Sequence, residues 1–324
     1  MGLLIEGQWH DQWYDTEKTS GEFVRENSKF HHWVTTDGRA GPTGEDGFKA
    51  EKDRYHLYVS YACPWAHRTL IFRRLLQLEH VIGVTAVHPH MLSKGWEFKA
   101  DPTFNTDVDP LYGLECMHQL YTKNDPNYTG RVTVPVLWDK EREKIVNNES
   151  ADIIRMLADG FSGLAKNPQD FYPPELRSAI DDINDTVYNN INNGVYKAGF
   201  ATRQDKYEHA YRELFKALDH VEAILGRQAF LAGDQITEAD WRLFTTLLRF
   251  DAVYFGHFKC NRQRIADFDN LSNYLRQLYQ WPGVSETVHM DHIQHHYYYS
   301  HDNINPTRIV PLGPDLNLDA PHNR

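Results

Sequence analysis

The sequence predicts an α/β half followed by an all-helical half, on three observations. Up to about residue 158, apolar runs with strand spacing alternate with runs of helical spacing; from 174 to 301 the helical period persists throughout; and a stretch rich in glycine and proline (Gly160, Gly163, Pro168, Pro173-Pro174) stands between them. With 324 residues the chain is long enough for two domains of ordinary size. The expected division is an N-terminal extension over 1–52, an α/β domain over 53–158, a linker over 159–173, an all-α domain over 174–301 and an extended tail over 302–324.

Taken in order, the extension is polar and turn-rich (Gly38, Gly41-Pro42, Gly44, Gly47), and no period persists in it. Its aromatics, Trp9, Trp13, Tyr14, Phe30 and Trp33, are expected to pack it onto the body rather than leave it disordered. The run 55–60, with Val59 and several aromatics, favours a strand. It leads straight into Tyr61-Ala62-Cys63-Pro64-Trp65-Ala66-His67-Arg68. Pro64 suits the first helical position, where a missing N–H costs nothing, and Trp65, Leu70, Ile71 and Leu75 continue with helical spacing. The β-branched run 81–87 is a second strand, and a loop over 88–114 carries Trp96. A short helix over 114–121, strands over 131–139 and 144–146 joined by a charged turn, and a helix opened by Glu149-Ser150 complete the half. The order βαβαββα is the thioredoxin arrangement.

In the second half, Tyr207, Ala210, Tyr211, Leu214, Phe215, Leu218, Val221 and Leu225 keep helical spacing and stop at Gly226. Thr237-Glu238-Ala239-Asp240 has the spacing of a capping box, with Ile236 placed to staple onto Trp241. Leu271, Tyr274, Leu275, Leu278 and Tyr279 form one more helix, ended by Pro282-Gly283. Four prolines after His301 (Pro306, Pro311, Pro314, Pro321) make the tail extended.

Charge narrows the function. A net charge of −11 argues against a nucleic-acid or anionic-membrane surface, and no run of about 18 apolar residues offers a membrane span. Cys63, Cys116 and Cys260 are odd in number and widely spaced, so they make neither a disulfide framework nor a zinc pattern and suit a reducing cytoplasm. No targeting segment is expected, because Glu6 stands where a myristoylation signal needs Ser or Thr.

Cys63 falls at or beside the N-cap of the first helix, where backbone N–H groups and the positive end of the helix dipole favour a thiolate. Thiols so placed have pKa values of roughly 3.5–7.5, against about 8.5 for a free cysteine. Packing in a core is the alternative role for a lone cysteine. A dithiol site would carry a second cysteine where Ala66 stands, so a mixed disulfide on Cys63 must be resolved by an outside thiol. That points to monothiol, glutathione-linked chemistry. In Thr133-Val134-Pro135-Val136 the proline is either an edge-strand residue or a cis residue that turns the Val134 backbone toward a peptide-like ligand. Glu149-Ser150 is a capped helix start whose N–H groups and hydroxyl also suit the γ-glutamyl carboxylate, with Glu149 for the ammonium. His292, His295, His296 and His301 have spacings that allow ligands on one helix face, but no acidic or cysteine partner accompanies them and no metal site is expected.

Tyr-Ala-Cys-Pro-Trp-Ala-His, Arg-Val-Thr-Val-Pro-Val-Leu-Trp-Asp and Asn-Glu-Ser-Ala, ahead of an all-helical half, resemble the glutathione transferase superfamily. The thiol motif, Asn193-Gly194-Val195-Tyr196-Lys197-Ala198-Gly199-Phe200 and the Asp291-His292-Ile293 to His296-Tyr297 segment resemble its Xi class, the glutathionyl-hydroquinone reductases, over nearly the whole chain. The resemblance implies an N-terminal thioredoxin-like domain, an all-helical C-terminal glutathione-transferase domain and an active site between them. It implies that Cys63 is the nucleophile and Tyr196 the acid/base, with Tyr254 and Tyr297 lining the hydroquinone pocket and holding the thiolate. Trp96, Arg131, Val132, Thr133, Val134, Glu149 and Ser150 would bind glutathione, a co-substrate, with no metal or nucleotide required. The enzyme would remove glutathione from glutathionylated hydroquinones as a cytoplasmic homodimer. Two rivals share these motifs: an omega-like thioltransferase or dehydroascorbate reductase, and a non-catalytic glutathione-binding protein.

Overall fold

The computed structural model describes residues 2–43 and 46–324, so the turn expected at Gly44 lies outside the described residues. The chain divides into two units. The first is Met1–Trp13, Glu26–Gln169 and Thr287–Ser300; the second is Tyr14–Arg25, Asp170–Glu286 and His301–Arg324.

The first unit opens with strands that no sequence period announces. β1 (Leu3–Ile5) and β2 (Gln8–His10) pair as a hairpin across Glu6 and Gly7, both at positive φ (47° and 76°), the geometry of a two-residue turn that matches strand twist. β3 (Trp33–Thr35) and β4 (Gly47–Lys49) pair in parallel. At three residues each, these strands are too short for alternation to show.

The central sheet is built from β5 (Tyr55–Val59), β6 (Gly83–Ala86), β8 (Val136–Asp139) and β9 (Lys144–Asn147) in the order β6-β5-β8-β9, after the short β7 (Gly130–Arg131). β5 runs parallel to β6 and antiparallel to β8, with Leu57 opposite both Val84 and Leu137. All five β5 residues are buried, as a central strand covered on both faces requires. α1 (Pro64–Leu75) packs against α3 (Ser150–Arg155), and α2 (Met117–Asn124) against β9. The βαβαββα order is the expected one.

Two boundaries differ from those the sequence suggests. The run 131–139 is not one strand: β7 leaves the central sheet to pair with β1, the Val134–Pro135 peptide is cis, and β8 begins only at Val136. Pro135 has no N–H to give a ladder, so the strand breaks there. The helix expected over 114–121 begins at Met117 because Gln119 reaches back to the Cys116 and Glu115 N–H groups (2.9 and 2.8 Å) and closes a capping box on Cys116.

The second unit is helical. α4 (Arg177–Thr186) runs on through a π turn over Val187–Asn192 to α5 (Gly194–Gly199). α6 (Gln204–Leu225) stops at Gly226, and α7 (Glu238–Arg249) continues through a π turn over Phe250–Tyr254. The capping box on Thr237 forms, and its Asp240 does more than cap. Fully buried, it accepts from the N–H groups of Thr237 (2.8 Å) and Leu231 (2.9 Å) and from the Tyr274 hydroxyl (2.6 Å) on α8 (Asp269–Tyr279). The tail has neither helix nor strand, yet Arg324 donates to the carbonyls of Leu225, Gln228 and Ala229. The last helix, α9 (Met290–Ser300), belongs to the first unit. Among the described residues no helix is long and apolar enough to cross a membrane.

Candidate active site

Cys63 is the N-cap of α1 and Pro64 its first helical residue, so the chain passes from buried strand to helix within a few residues. The Cys63 N–H donates to Ser60 O (3.1 Å), its carbonyl receives the His67 N–H (3.0 Å), and its thiol donates to Val134 O at 3.5 Å. Backbone thus fixes the turn at a cysteine that stays part-exposed. The other two thiols are buried, and burial pushes Cys116 up to about 11 and raises Cys260 as well, both against the thiolate.

The strand break that turns the Val134 carbonyl to Cys63 is held from behind. The Tyr121 hydroxyl donates to Thr133 O (2.9 Å) and receives the Thr133 N–H (3.2 Å), and Asn148 Nδ2 donates to the same hydroxyl (3.2 Å). Val132 and Val134 are buried in the core. Arg131 turns its guanidinium to the N-terminal segment, donating to Gln12 O, Trp13 O and Glu26 at 2.6–3.3 Å. The N-terminal extension, expected only to pack, therefore ties down a residue expected at the glutathione site.

At the start of α3, the Glu149 carboxylate accepts from the Ala151 N–H (3.1 Å) and the Ser28 hydroxyl (3.1 Å). Behind Ser150 stands Arg68, almost fully buried, its guanidinium 3.4 Å from the Ser150 hydroxyl and 4.6 Å from the centre of the Trp65 ring. A buried guanidinium beside a helix start can receive a carboxylate, and Glu149 and Asp152 place two carboxylates of the chain's own at the same start. Arg68 is no candidate from sequence, since a lone arginine on a helix face gives no sign of burial.

Trp96 is 4% exposed and stacks on His296 (4.8 Å between ring centres, 25° between planes), and His296 meets Tyr297 edge-on at 5.2 Å. His296 Nδ1 donates to Pro89 O (3.0 Å), and His292 Nε2 to Phe104 O (2.6 Å). The histidines of α9 thus pack and hydrogen-bond, and among the described residues no three His, Cys, Asp or Glu stand as a metal-binding group. His296 joins two expected site residues across two hundred positions of chain, a contact no local pattern encodes.

Tyr196 and Tyr254 lie in the second unit, where it brings them together, ring centres 6.0 Å apart. Phe258 stacks on Tyr254 (5.4 Å) and meets Tyr196 at 5.5 Å, while Phe23 from the N-terminal segment faces Tyr196 at 6.3 Å. Tyr254 is fully buried; Tyr196 keeps part of its surface open. Phe23 carries no signal of this role in the sequence.

Residues 62–159 match the family described as glutathione S-transferase, N-terminal domain, and 204–277 match glutathione S-transferase, C-terminal domain. Over 325 residues, all of this chain and 98% of the relative, the sequence is 55% identical to glutathionyl-hydroquinone reductase YqjG of Escherichia coli (strain K12). It is 49% identical to glutathionyl-hydroquinone reductase PcpF of Sphingobium chlorophenolicum over 97% of this chain and 96% of that one. The solved glutathione-bound structure of YqjG, a glutathione transferase homolog, superposes with a TM-score of 0.92 at 52% identity, covering 100% of this chain and 99% of that one. A Xi class transferase from Natrialba magadii superposes with a TM-score of 0.90 at 47% identity, covering 100% and 96%. The thioredoxin-type half with a cysteine at its first helix, the helical half after it and these likenesses agree, and the chain belongs to the glutathione S-transferase family, in its Xi or glutathionyl-hydroquinone reductase class.

Proposed function

We propose that this chain strips glutathione from glutathionyl-hydroquinones by way of a mixed disulfide on Cys63. The Cys63 thiolate attacks the glutathione sulfur. The sulfur–carbon bond to the aromatic ring breaks, its electron pair stays with the ring carbon, and that carbon takes a proton to give the free hydroquinone. A second glutathione attacks the Cys63–glutathione disulfide, glutathione disulfide leaves, and the thiolate is regenerated. One thiol and the thioether sulfur of the substrate end as one disulfide while the ring carbon is reduced, so the electrons balance without an outside oxidant or metal.

The observation that carries this reading is Cys63 itself. Of the chain's three cysteines it alone is part-exposed, it caps a helix, and Ala66 stands where a resolving thiol would be. Val134 presents its backbone beside the sulfur, as a ligand with a cysteinyl unit requires, and the corner at Glu149 and Ser150 suits the γ-glutamyl end. Trp96 and the 131–134 stretch complete the glutathione contacts in this reading. Tyr196 is the proton donor to the departing ring, and Tyr254 and Tyr297 line the aromatic pocket and hold the thiolate. A cytoplasmic homodimer is part of the same proposal, and sedimentation equilibrium tests the dimer.

The test is steady-state reduction of a glutathionyl-hydroquinone. Cys63→Ala should reduce turnover to background, while Cys116→Ala and Cys260→Ala, both away from solvent, should keep it once folded. Turnover by Cys63→Ala within tenfold of the unaltered chain would overturn the mechanism.

A further inference from the structure

The segment Tyr14–Arg25 belongs to the helical unit although the residues on either side of it do not. Three contacts fasten it there. The Thr202 N–H donates to Gly21 O (3.0 Å), Lys206 approaches Glu22 (3.8 Å), and Gly21, at φ +87°, lies so close to Arg203 that a Cβ would stand 2.6 Å from its Cγ. Only glycine satisfies both that φ and that approach. The residues after Gly21 are held in place as a result: Phe23, 2% exposed, faces the Tyr196 ring, and the Arg25 guanidinium carbon sits 4.8 Å from the centre of that ring.

Arg25 is oriented as well as near. Its Nε donates to the Asn193 side-chain carbonyl at 2.8 Å, and Asn193 is a buried residue whose own carbonyl receives the Lys197 N–H in the first turn of α5, the helix that carries Tyr196. The arginine thus bonds the base of the helix and covers the face of the tyrosine in one posture. We propose that Arg25 is a positioning residue for Tyr196: the N-terminal segment supplies a guanidinium that, beside Phe23, packs over the phenol ring, which also meets Phe258, and so fixes where its hydroxyl points. The proposal rests on the reading of Tyr196 as the proton donor. Arginine rather than lysine suits the task, because its planar fork stacks on a ring while bonding an amide in the same plane.

The clamp predicts a particular pattern of loss. A partly shielded cation–π contact carries about 0.5–2 kcal/mol, so Arg25→Gln should lower kcat on a glutathionyl-hydroquinone by about 2- to 30-fold. The KM for the resolving glutathione should stay unchanged. Reduction of glutathionylated 2-mercaptoethanol, whose thiolate leaves without acid help, should suffer much less. Arg25→Lys, which keeps the charge over the ring, should recover part of the loss. The deciding measurement is the double-mutant cycle: in a Tyr196→Phe background, Arg25→Gln should add almost nothing, since the hydroxyl it positions is gone. Arg25→Lys run through the same cycle serves if Arg25→Gln lowers the thermal midpoint enough to obscure kinetics. An equal loss on both substrates, an undiminished loss in the Tyr196→Phe background, or full activity in Arg25→Gln beside a crippled Tyr196→Phe would each overturn the clamp and leave the role of Tyr196 standing. A fully active Tyr196→Phe would instead contradict the proton-donor reading, and the clamp with it.

Discussion

In the first unit the proposed nucleophile stands on a turn written in adjacent residues, whereas in the second the tyrosines gain their surroundings from segments far apart in the chain. Cys63 owes its position to a buried strand that ends at Val59 and a helix that starts at Pro64. Tyr196 owes its position to Asn193 and Arg25, which are 168 residues apart, and to Phe258 beyond them. The difference separates two kinds of chemistry. A nucleophile needs a local field, which one helix start supplies. A proton donor to an aromatic leaving group needs a fixed direction and a walled site, and that takes several elements.

Tyr196→Phe probes the second kind, and its effect is exceeded only by that of Cys63→Ala. Loss of a positioned acid typically costs ~10²–10⁴-fold, so turnover of a glutathionyl-hydroquinone should drop by that order while glutathione affinity stays nearly intact. Reduction of glutathionylated 2-mercaptoethanol should fall much less, and equal losses on both would assign Tyr196 to the thiolate or the fold instead.

Asp240→Ala asks whether the helical unit depends on one buried group as the first unit depends on its turn. The substitution leaves the Tyr274 hydroxyl and the Leu231 and Thr237 N–H groups without their acceptor inside the core. Stranding several buried donors should lower the free energy of unfolding by about 3–5 kcal/mol. Urea titration followed by circular dichroism would measure it, and a loss below about 1 kcal/mol would mean that water or repacking replaces the carboxylate.

Acid should act on both units more gently. Burial pushes His56 and His90 in the first unit, and His257 in the second, down to about 4. Their folded values lie below the unfolded value of about 6.5, so the unfolded chain binds more protons. The stability they contribute is present above pH 6.5 and falls away between 6.5 and 4. The thermal midpoint should therefore decline by several degrees over that window, and His257→Gln should flatten the share that belongs to the helical unit. A midpoint constant from pH 7 to 4.5 would contradict neutral, buried imidazoles at these places.

The same contrast explains what could be read from the amino-acid order. The central sheet, the Cys63 helix start and the Thr237 capping box are visible in the sequence because each is encoded within about ten residues by burial period and capping chemistry. The strands β1 to β4 are not, since three residues cannot display alternation, and β7 is only Gly130–Arg131, at the head of a run that reads as one strand. Arg68 behind Ser150, His296 between Trp96 and Tyr297, and Arg25 over Tyr196 escape for another reason. Each is a single side chain brought to its partner by tertiary packing, and no spacing announces it.

The central claim is that Cys63 takes the glutathionyl group from the hydroquinone before any free glutathione acts. A single-turnover experiment tests it: the chain, freed of glutathione, is mixed with a slight excess of glutathionyl-hydroquinone, and the products are followed by chromatography and mass spectrometry. One hydroquinone released per chain, with one glutathionyl group on the Cys63 peptide that a later addition of glutathione removes, is the expected result. Hydroquinone release that waits for free glutathione, or a glutathionyl group found on Cys116 or Cys260, would contradict it.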